Sequence, residues 1–592
     1  MSKKLLSIIL AVCMLLALFA GCGNSSAATE EAASSAPAAE DSAEPEAAEE
    51  APAEEPAAEE PAPETEEVSA EEASAVEEVE EPEPELEPIS YPIGEGLTIN
   101  CWTAFDSNAF GSYGFESYND LAALDVVEEA TGVRYTYTEV SFFSASEQFN
   151  LMIASGDWPD VMNCNRYYTG GLSQALSDDV IVDLTDLLTE NMPDYYKVLM
   201  SEDKTTQDNV LTDGRVLQLC SMYDEYINDG GAYTRGDWLK ELGTQWPDTF
   251  EGFIDLLYQV HDTYGSAYTY PTDPGGGISG AEAYFGTELF SMRTDNSDLA
   301  IYVGDDGVIQ SGVTSDGYRA YLELFLELYQ AGVINQDFYV SELGRADTMG
   351  YIGSGDIFIW TGRADTMNDP VKYADEANSG MVVQPITTYF PGESGEYDFM
   401  DEVVYASTDG ISITTACEDP AMVMKFMNYF YTDEGALLVN YGVEGVSWEY
   451  NDAGEPEFTD LIMNNPQGMN FNTAVAINGM SGVVAHTDNS VKLAAYSDEV
   501  VAAVNMFSDL TGTSTLHTYP NGAALDAAEA DSIANQLTDI VAYATEQALR
   551  FAIGSDPLTD ESWDAYVQNC NDLGLLDCIE VYQTAYDDYL AA

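Results

Sequence analysis

From about Ala27 to Pro88 the chain is built almost entirely of Ala, Glu, Pro and Ser, with no Lys or Arg and almost no large apolar side chain. Such a stretch cannot bury enough surface to offset the entropy of ordering it. Ala and Glu favour helix, but Pro52, Pro56, Pro61, Pro63, Pro82 and Pro84 interrupt any long one. The segment is therefore expected to be a disordered acidic tether. Its reach runs from roughly 45 Å as a flexible coil to about 200 Å as extended polyproline II, and self-repulsion favours the longer end. Folding is left to the ~500 residues beyond it, more than one hydrophobic core usually organises, so two lobes are expected.

At the N-terminus, Lys3 and Lys4, an apolar run from Leu5 to Phe19, and then Ala20-Gly21-Cys22 resemble a bacterial lipoprotein signal. The resemblance implies cleavage before Cys22 and a diacylglyceryl group on its thiol; the alternatives are plain cleavage or an uncleaved anchor. Phe19 stands where that pattern usually has Leu, with Leu18 behind it. The run is short for a transmembrane helix. Two acyl chains hold a domain at a bilayer far more durably than one, since burial is worth about 0.8 kcal/mol per CH₂. The expected location is extracytoplasmic, at the outer face of the cell membrane.

The formal net charge of −89, from 106 acidic and 17 basic residues, excludes nucleic acid as a partner, because no cluster of Lys and Arg exists to neutralise phosphates. An acidic surface also repels anionic lipid head groups, which makes a covalent anchor more useful, and most of the charge reads as a solvated, aggregation-resistant surface. Beyond the signal, Cys101, Cys164, Cys220, Cys417, Cys570 and Cys578 are scattered without CxxC or zinc spacing. They read either as free thiols or as one or two disulfides, Cys570 with Cys578 being the best placed pair.

The globular part opens as strand, helix, strand. Leu97, Ile99 and Cys101 alternate with Thr98 and Asn100; Leu121, Leu124 and Val127 form a helical stripe stopped by Gly132; Val133, Tyr135 and Tyr137 alternate again. A helix through Phe149, Met152 and Ile153 and a short strand at Val161-Met162 repeat the theme. Further helices are expected over Gly236–Gly243, Thr249–Tyr264 and Tyr318–Gln330, then from the Asp419 N-cap and Pro420 to Phe430, and from Glu434 to Gly442. No fixed-period repeat is present. Parallel sheets bind ligands beyond the carboxyl ends of their strands, so the loops Trp102–Asp106 and Asn163–Tyr168 are the ones to watch.

The run Phe149-Asn150-Leu151-Met152-Ile153-Ala154-Ser155-Gly156-Asp157-Trp158-Pro159-Asp160-Val161 resembles the signature of extracellular solute-binding proteins of family 1, the receptors of carbohydrate-type ABC importers. Four more blocks resemble the family in order: Arg235-Gly236-Asp237-Trp238-Leu239 with Leu242-Gly243 and Pro247-Asp248-Thr249-Phe250; Tyr329 to Phe338; Asn440 to Gly445; and Val581 to Asp587, the last two typical of its long lipoprotein branch. The match spans roughly Leu97 to Tyr589. Many long relatives carry a calcium-loop-like insertion that Tyr264–Pro274 lacks, so the resemblance carries no calcium site over. It implies an α/β, two-lobe periplasmic-binding-protein-like fold of type II, with hinge-crossing strands and an interlobe cleft. The expected division is residues 1–21 as signal, 22–92 as lipidated cysteine and tether, 93–222 as lobe 1, 223–384 as lobe 2, 385–445 as the return to lobe 1, and 446–592 as the return to lobe 2 with the C-terminal helices.

A sugar site needs aromatic planes for ring faces and amides, carboxylates or guanidinium groups for hydroxyls. In relatives the loop after the "PD" strand contributes such groups, which maps here to Asn165, Arg166 and Tyr167; the strand-one loop offers Trp102 and Phe105; and Trp360 with Arg363 follow the apolar Ile357-Phe358-Ile359. Trp158 and Trp238 read as core. Trp102 and Trp360 read equally as core or site, Trp448 and Tyr405 are weaker candidates, and Arg166 reads equally as a surface ion-pair partner. Enzyme signatures are missing: His261, His486 and His517 belong to no HExxH, and there is no GxSxG or phosphate loop. Gly275–Gly280 fits GxGxxG but follows Pro274 rather than a strand. Asp295, Asp298, Asp305 and Asp306 lack the calcium-loop spacing and read as a solvated turn. The expectation is a monomeric, lipid-anchored receptor without metal or cofactor that captures a carbohydrate, in particular an oligosaccharide, and passes it to ABC permease subunits. The alternatives are a glycan hydrolase with paired carboxylates, or a receptor for a peptide or other solute.

Overall fold

The computed structural model describes residues 86–591 except 107–109, 202–205, 207–208, 225–226, 267–268, 270–298, 305, 339–344, 388–389, 392–396, 402–405 and 512. The signal, Cys22, the tether before residue 86, Gly275–Gly280, Asp295, Asp298, Asp305 and Tyr405 lie outside the described residues.

Strand β1 (Leu97–Phe105), helix α1 (Ala123–Thr131) and strand β2 (Val133–Ser141) form the expected βαβ opening, with β1 and β2 parallel and in register from Leu97–Val133 to Phe105–Ser141. Gly132 ends α1 at φ 77°, and a Cβ there would sit 1.8 Å from the Gly94 carbonyl oxygen, so only glycine fits. Helix α2 (Ala145–Ser155) leads to the two-residue β3 (Val161–Met162), parallel to β1, and then to the short helices α3 (Cys164–Tyr167) and α4 (Gly171–Ser177). After β4 (Leu219–Tyr223) the chain crosses to a second lobe. That lobe is built from β5 (Gly230–Arg235), α5 (Gly236–Leu242), α6 (Phe250–Tyr264), β6 (Ile301–Val303), β7 (Ile309–Ser311), α7 (Asp316–Ala331), β8 (Ile359–Arg363), β9 (Val383–Ile386) and β10 (Tyr397–Asp401).

The chain returns through β11 (Ala406–Ile413), α8 (Pro420–Asn428), α9 (Asp433–Tyr441), the hairpin β12 (Trp448–Tyr450) and β13 (Pro456–Phe458), α10 (Phe471–Asn478) and β14 (His486–Thr487). It crosses a last time into α11 (Asn489–Ala495), α12 (Asp498–Ser508), β15 (Ser514–Thr518), α13 (Ala527–Ala552), α14 (Asp560–Asp572) and α15 (Leu575–Ala591).

The first lobe's sheet runs β14-β4-β11-β3-β1-β2, with β11 antiparallel to both of its neighbours and the other pairings parallel. The carboxyl ends of β1, β3, β4 and β14 therefore share one edge, which is the edge the chain leaves to reach the second lobe. The second lobe holds two sheets, β8-β5-β9 and β10-β15-β6-β7. Because β10 pairs with β15, and β14 with β4, the returns fall after Asp401 and Thr487 rather than at the expected residues 385 and 446. Residues 446–487 read as second-lobe material because their short helices and hairpin look alike in either lobe; strand pairing, which the sequence does not display, decides it.

Each lobe has its own core. In the first, the Tyr135 and Phe426 rings stack at 5.2 Å, with Ile99, Leu124 and Phe430 around them. In the second, Phe253, Phe325, Ile540 and Tyr566 converge from α6, α7, α13 and α14. Burial at about 25 cal/mol per Å² of apolar surface makes these cores the main source of stability. The expected Asp419 cap is present, accepting from Met422 N with Pro420 in the first turn, and Thr249 caps α6 by accepting from Gly252 N. The Arg235-x-Asp237-Trp238 block is structural. Arg235, 1% exposed, forks onto Asp237 at 2.6 and 2.9 Å, donates to Asn378 at 3.0 Å and lies 4.4 Å from the centroid of the Trp238 ring. Trp238, read as core, is buried and stacks on Tyr264 at 4.0 Å. The six described cysteines are buried free thiols, Cys570 and Cys578 among them.

Candidate ligand-binding cleft

At the carboxyl end of β3, Asn163 caps α3 by accepting from Arg166 N at 3.0 Å, which turns Asn165, Arg166 and Tyr167 out of the sheet together. Tyr167 lies edge-on to Trp102 at 5.2 Å and tilted against Phe149 at 5.6 Å. The Arg166 guanidinium carbon is 5.6 Å from the Tyr167 ring centroid and 5.9 Å from that of Phe142. Gly170 and Gly171, at φ 84° and 67°, turn the chain into α4. There Asp178 accepts from Tyr168 Oη at 2.7 Å and from Gln174 Nε2 at 3.0 Å. Burial, reinforced by the Asp178 carboxylate, raises the Tyr168 phenol well above its ordinary value.

These groups form one wall of a cleft of about 1500 Å³, whose opposite wall is α13 with Tyr519 and Tyr582 of the second lobe. Helix α13 starts at a reciprocal capping box, Asp526 with Glu529. It serves two surfaces. Ile540, Ala544, Ala548 and Phe551 enter the second-lobe core, while Ala534, Leu537, Val541 and Thr545 line the cleft. Tyr519 Oη donates to the carbonyls of Ala523 at 2.8 Å and Tyr582 at 3.0 Å, fixing that end of the wall. The lobes touch directly where Thr212 N and Oγ1 both donate to Gly522 O, at 3.2 and 2.8 Å.

Of the sequence-predicted site residues, Asn165, Arg166 and Tyr167 come together in this cleft. Trp102, 3% exposed, lies behind Tyr167 and also packs edge-on to Phe149 at 5.1 Å. Phe105, 7% exposed, packs among Phe110, Phe115 and Tyr118 in the first-lobe core. Trp360, 3% exposed, packs on Tyr233 at 6.3 Å in a cluster with Phe507, away from the cleft lining. Arg363 belongs to a charged cluster at the chain crossings: it reaches Asp229 at 2.5 Å and Asp365 at 3.4 Å, and Lys492 of α11 feels the same charges. Burial raises the Asp365 carboxyl against the opposing pull of Arg363, and burial lowers the Lys492 ammonium. On the first-lobe side His486 Nε2 lies 2.6 Å from Asp224.

Sequence reasoning placed nothing from α13, Tyr519 or Tyr582 at the site. The available signal was the capping box before a long helix that is apolar on more than one side, since a helix with only one neighbour needs only one such stripe. Among the described residues no group of three His, Cys, Asp or Glu is arranged to hold a metal ion, and no helix is long and apolar enough to cross a membrane.

Two α/β lobes joined by crossing segments around a large cleft define a fold of the periplasmic-binding-protein kind. The family model described as "Bacterial extracellular solute-binding protein" matches residues 116–437, and the chain belongs to that family. It is 22% identical over 531 residues to the fructooligosaccharide ABC transporter substrate-binding protein FusA of Streptococcus pneumoniae serotype 4, covering 86% of this chain and 94% of that one. It is 25% identical over 366 residues to the lipoprotein LipO of Bacillus subtilis, covering 59% and 68%. The fold is similar to that of the alginate-binding protein AlgQ2, with a TM-score of 0.65 at 18% identity over 83% of this chain and 98% of that one.

Proposed function

We propose that the protein is a lipid-anchored extracytoplasmic receptor of an ABC importer, which captures an oligosaccharide between its lobes, leaves it chemically intact and delivers it to membrane permease subunits. The observation that carries this reading is the cleft itself. At about 1500 Å³ it exceeds the range that holds drug-sized ligands, and its polar lining is mostly tyrosine hydroxyls, neutral amides and threonines, with Arg166 on the first-lobe wall. Tyrosine rings suit the apolar faces of sugars, and amides suit their hydroxyl edges. Asn165, Arg166 and Tyr167 are the proposed contacts on that wall. The names of the relatives, a fructooligosaccharide-binding protein and a lipoprotein, support sugar capture and attachment through Cys22. Ligand favours the closed arrangement of a pre-existing open-closed equilibrium, and the permease reads that arrangement.

Titrating the full chain, purified in detergent, with a glycan panel tests this. At least one oligosaccharide is expected to raise the melting temperature as RT ln(1 + [L]/Kd) and to change tryptophan emission through the Tyr167–Trp102 contact. Chromatography is expected to recover the sugar unaltered. Cleaved product, or silence across the panel while a peptide or other solute binds, would reject the reading.

A further inference from the structure

Among the described residues that line the cleft, Gln174 Oε1 on α4 and Thr545 Oγ1 on α13 are buried without a hydrogen-bond partner. They stand on the two helices that approach one another from opposite lobes. Buried groups of this kind are costly unless something bonds them. The orientation of Gln174 is forced. Its Nε2 donates to Asp178 Oδ1 at 3.0 Å, and turning the amide over would set two oxygens against each other, so the atom left without a partner is an acceptor. Asp178 is held in turn by Tyr168 Oη at 2.7 Å. The Thr545 hydroxyl offers one donor and two acceptor lone pairs.

We propose, building on the carbohydrate reading above, that Gln174 and Thr545 are specificity-determining contacts that select uncharged glycans over acidic ones. A sugar hydroxyl donates to Gln174 Oε1, and a hydroxyl either donates to or accepts from Thr545 Oγ1, so a neutral sugar satisfies both atoms. A carboxylate has only acceptors. At Gln174 it would meet another acceptor with the Asp178 carboxylate directly behind. The rest of the lining agrees. Its other charged residues are Arg166 and Glu546, and Glu546 accepts from Arg550 at 2.5 Å, so no excess of positive charge compensates an anionic ligand. The formal net charge of −89 adds a repulsive background for any anion.

The test is calorimetric titration of the full chain in detergent with two panels of matched length, neutral oligosaccharides and oligouronates. The best neutral ligand is expected to bind at least about tenfold tighter than its uronate counterpart, and Gln174→Met and Thr545→Val are each expected to weaken neutral binding about fivefold without lowering the melting temperature of the free protein. Thr545→Ser, which keeps the hydroxyl, is expected to bind as the parent does. Uronates binding as well as neutral sugars, or neutral binding that survives both Gln174→Met and Thr545→Val, would overturn this inference alone. Failure of both panels would overturn the carbohydrate reading and this inference with it.

Discussion

Asp365 has a side chain 3% exposed, with the Arg363 guanidinium 3.4 Å from one carboxylate oxygen and the Asn472 side chain also drawing on the carboxyl. Burial outweighs that attraction, and the neighbouring Asp229 works in the same direction as burial, so the carboxyl titrates above its ordinary value. The folded chain then holds this proton up to a higher pH than the unfolded chain does. Stability falls as pH rises through that interval, and the ionised carboxylate weakens the fold at neutral pH. Asp365→Asn replaces the charge by a neutral group of the same shape. It is expected to raise the urea midpoint at neutral pH and to change little in acid, where the native carboxyl is already protonated. A lower midpoint at neutral pH, or an equal gain at both, would show that the ion pair with Arg363 dominates. None of this was legible in the sequence, because a chain with 106 acidic residues gives no sign of which one is buried.

Strand β8 shows what alternation permits at the scale of an element. Side chains on successive residues of a strand face opposite ways. Trp360 enters the cluster with Tyr233 and Phe507, 3% exposed and outside the cleft lining, while Thr361 and Arg363 are exposed on the other side. Trp360→Ala is accordingly expected to cost about 3–5 kcal/mol of stability while leaving glycan affinity in the folded fraction unchanged; denaturant melts and calorimetry on the same sample read the two apart. The sequence displayed β1, α1 and β2 clearly because alternation, helical stripe and a stopping glycine agree there, and it displayed the α3 loop because the chain must turn just beyond a buried strand. It hid α13. Apart from Glu546, the cleft wall of that helix is made of alanine, leucine, isoleucine, valine and threonine, residues that also fill a core, and only packing against a second lobe tells one face from the other.

The whole molecule depends on how two separately packed cores are held across one cleft. The chain passes between them at β4–β5, β10–β11 and β14–α11, and away from those crossings Thr212 donates twice to Gly522 O. The backbone donor of that pair survives replacement of Thr212 by valine, but the Oγ1 donor at 2.8 Å does not. Each lobe keeps its own core without it, so its loss should leave unfolding untouched and act on the balance between open and closed lobes. One net hydrogen bond is worth about 0.5–1.5 kcal/mol, which corresponds to roughly a two- to tenfold shift in that balance. If, as proposed, the lobes close over a glycan and only the closed form grips it from both sides, Thr212→Val is expected to weaken glycan binding by the same factor, mainly through faster release. Small-angle scattering of the free variant should show a larger radius of gyration at an unchanged melting temperature. An unchanged radius with unchanged release would mean that the crossing segments alone set the lobe angle; a lowered melting temperature would mean that the contact belongs to the fold rather than to its motion.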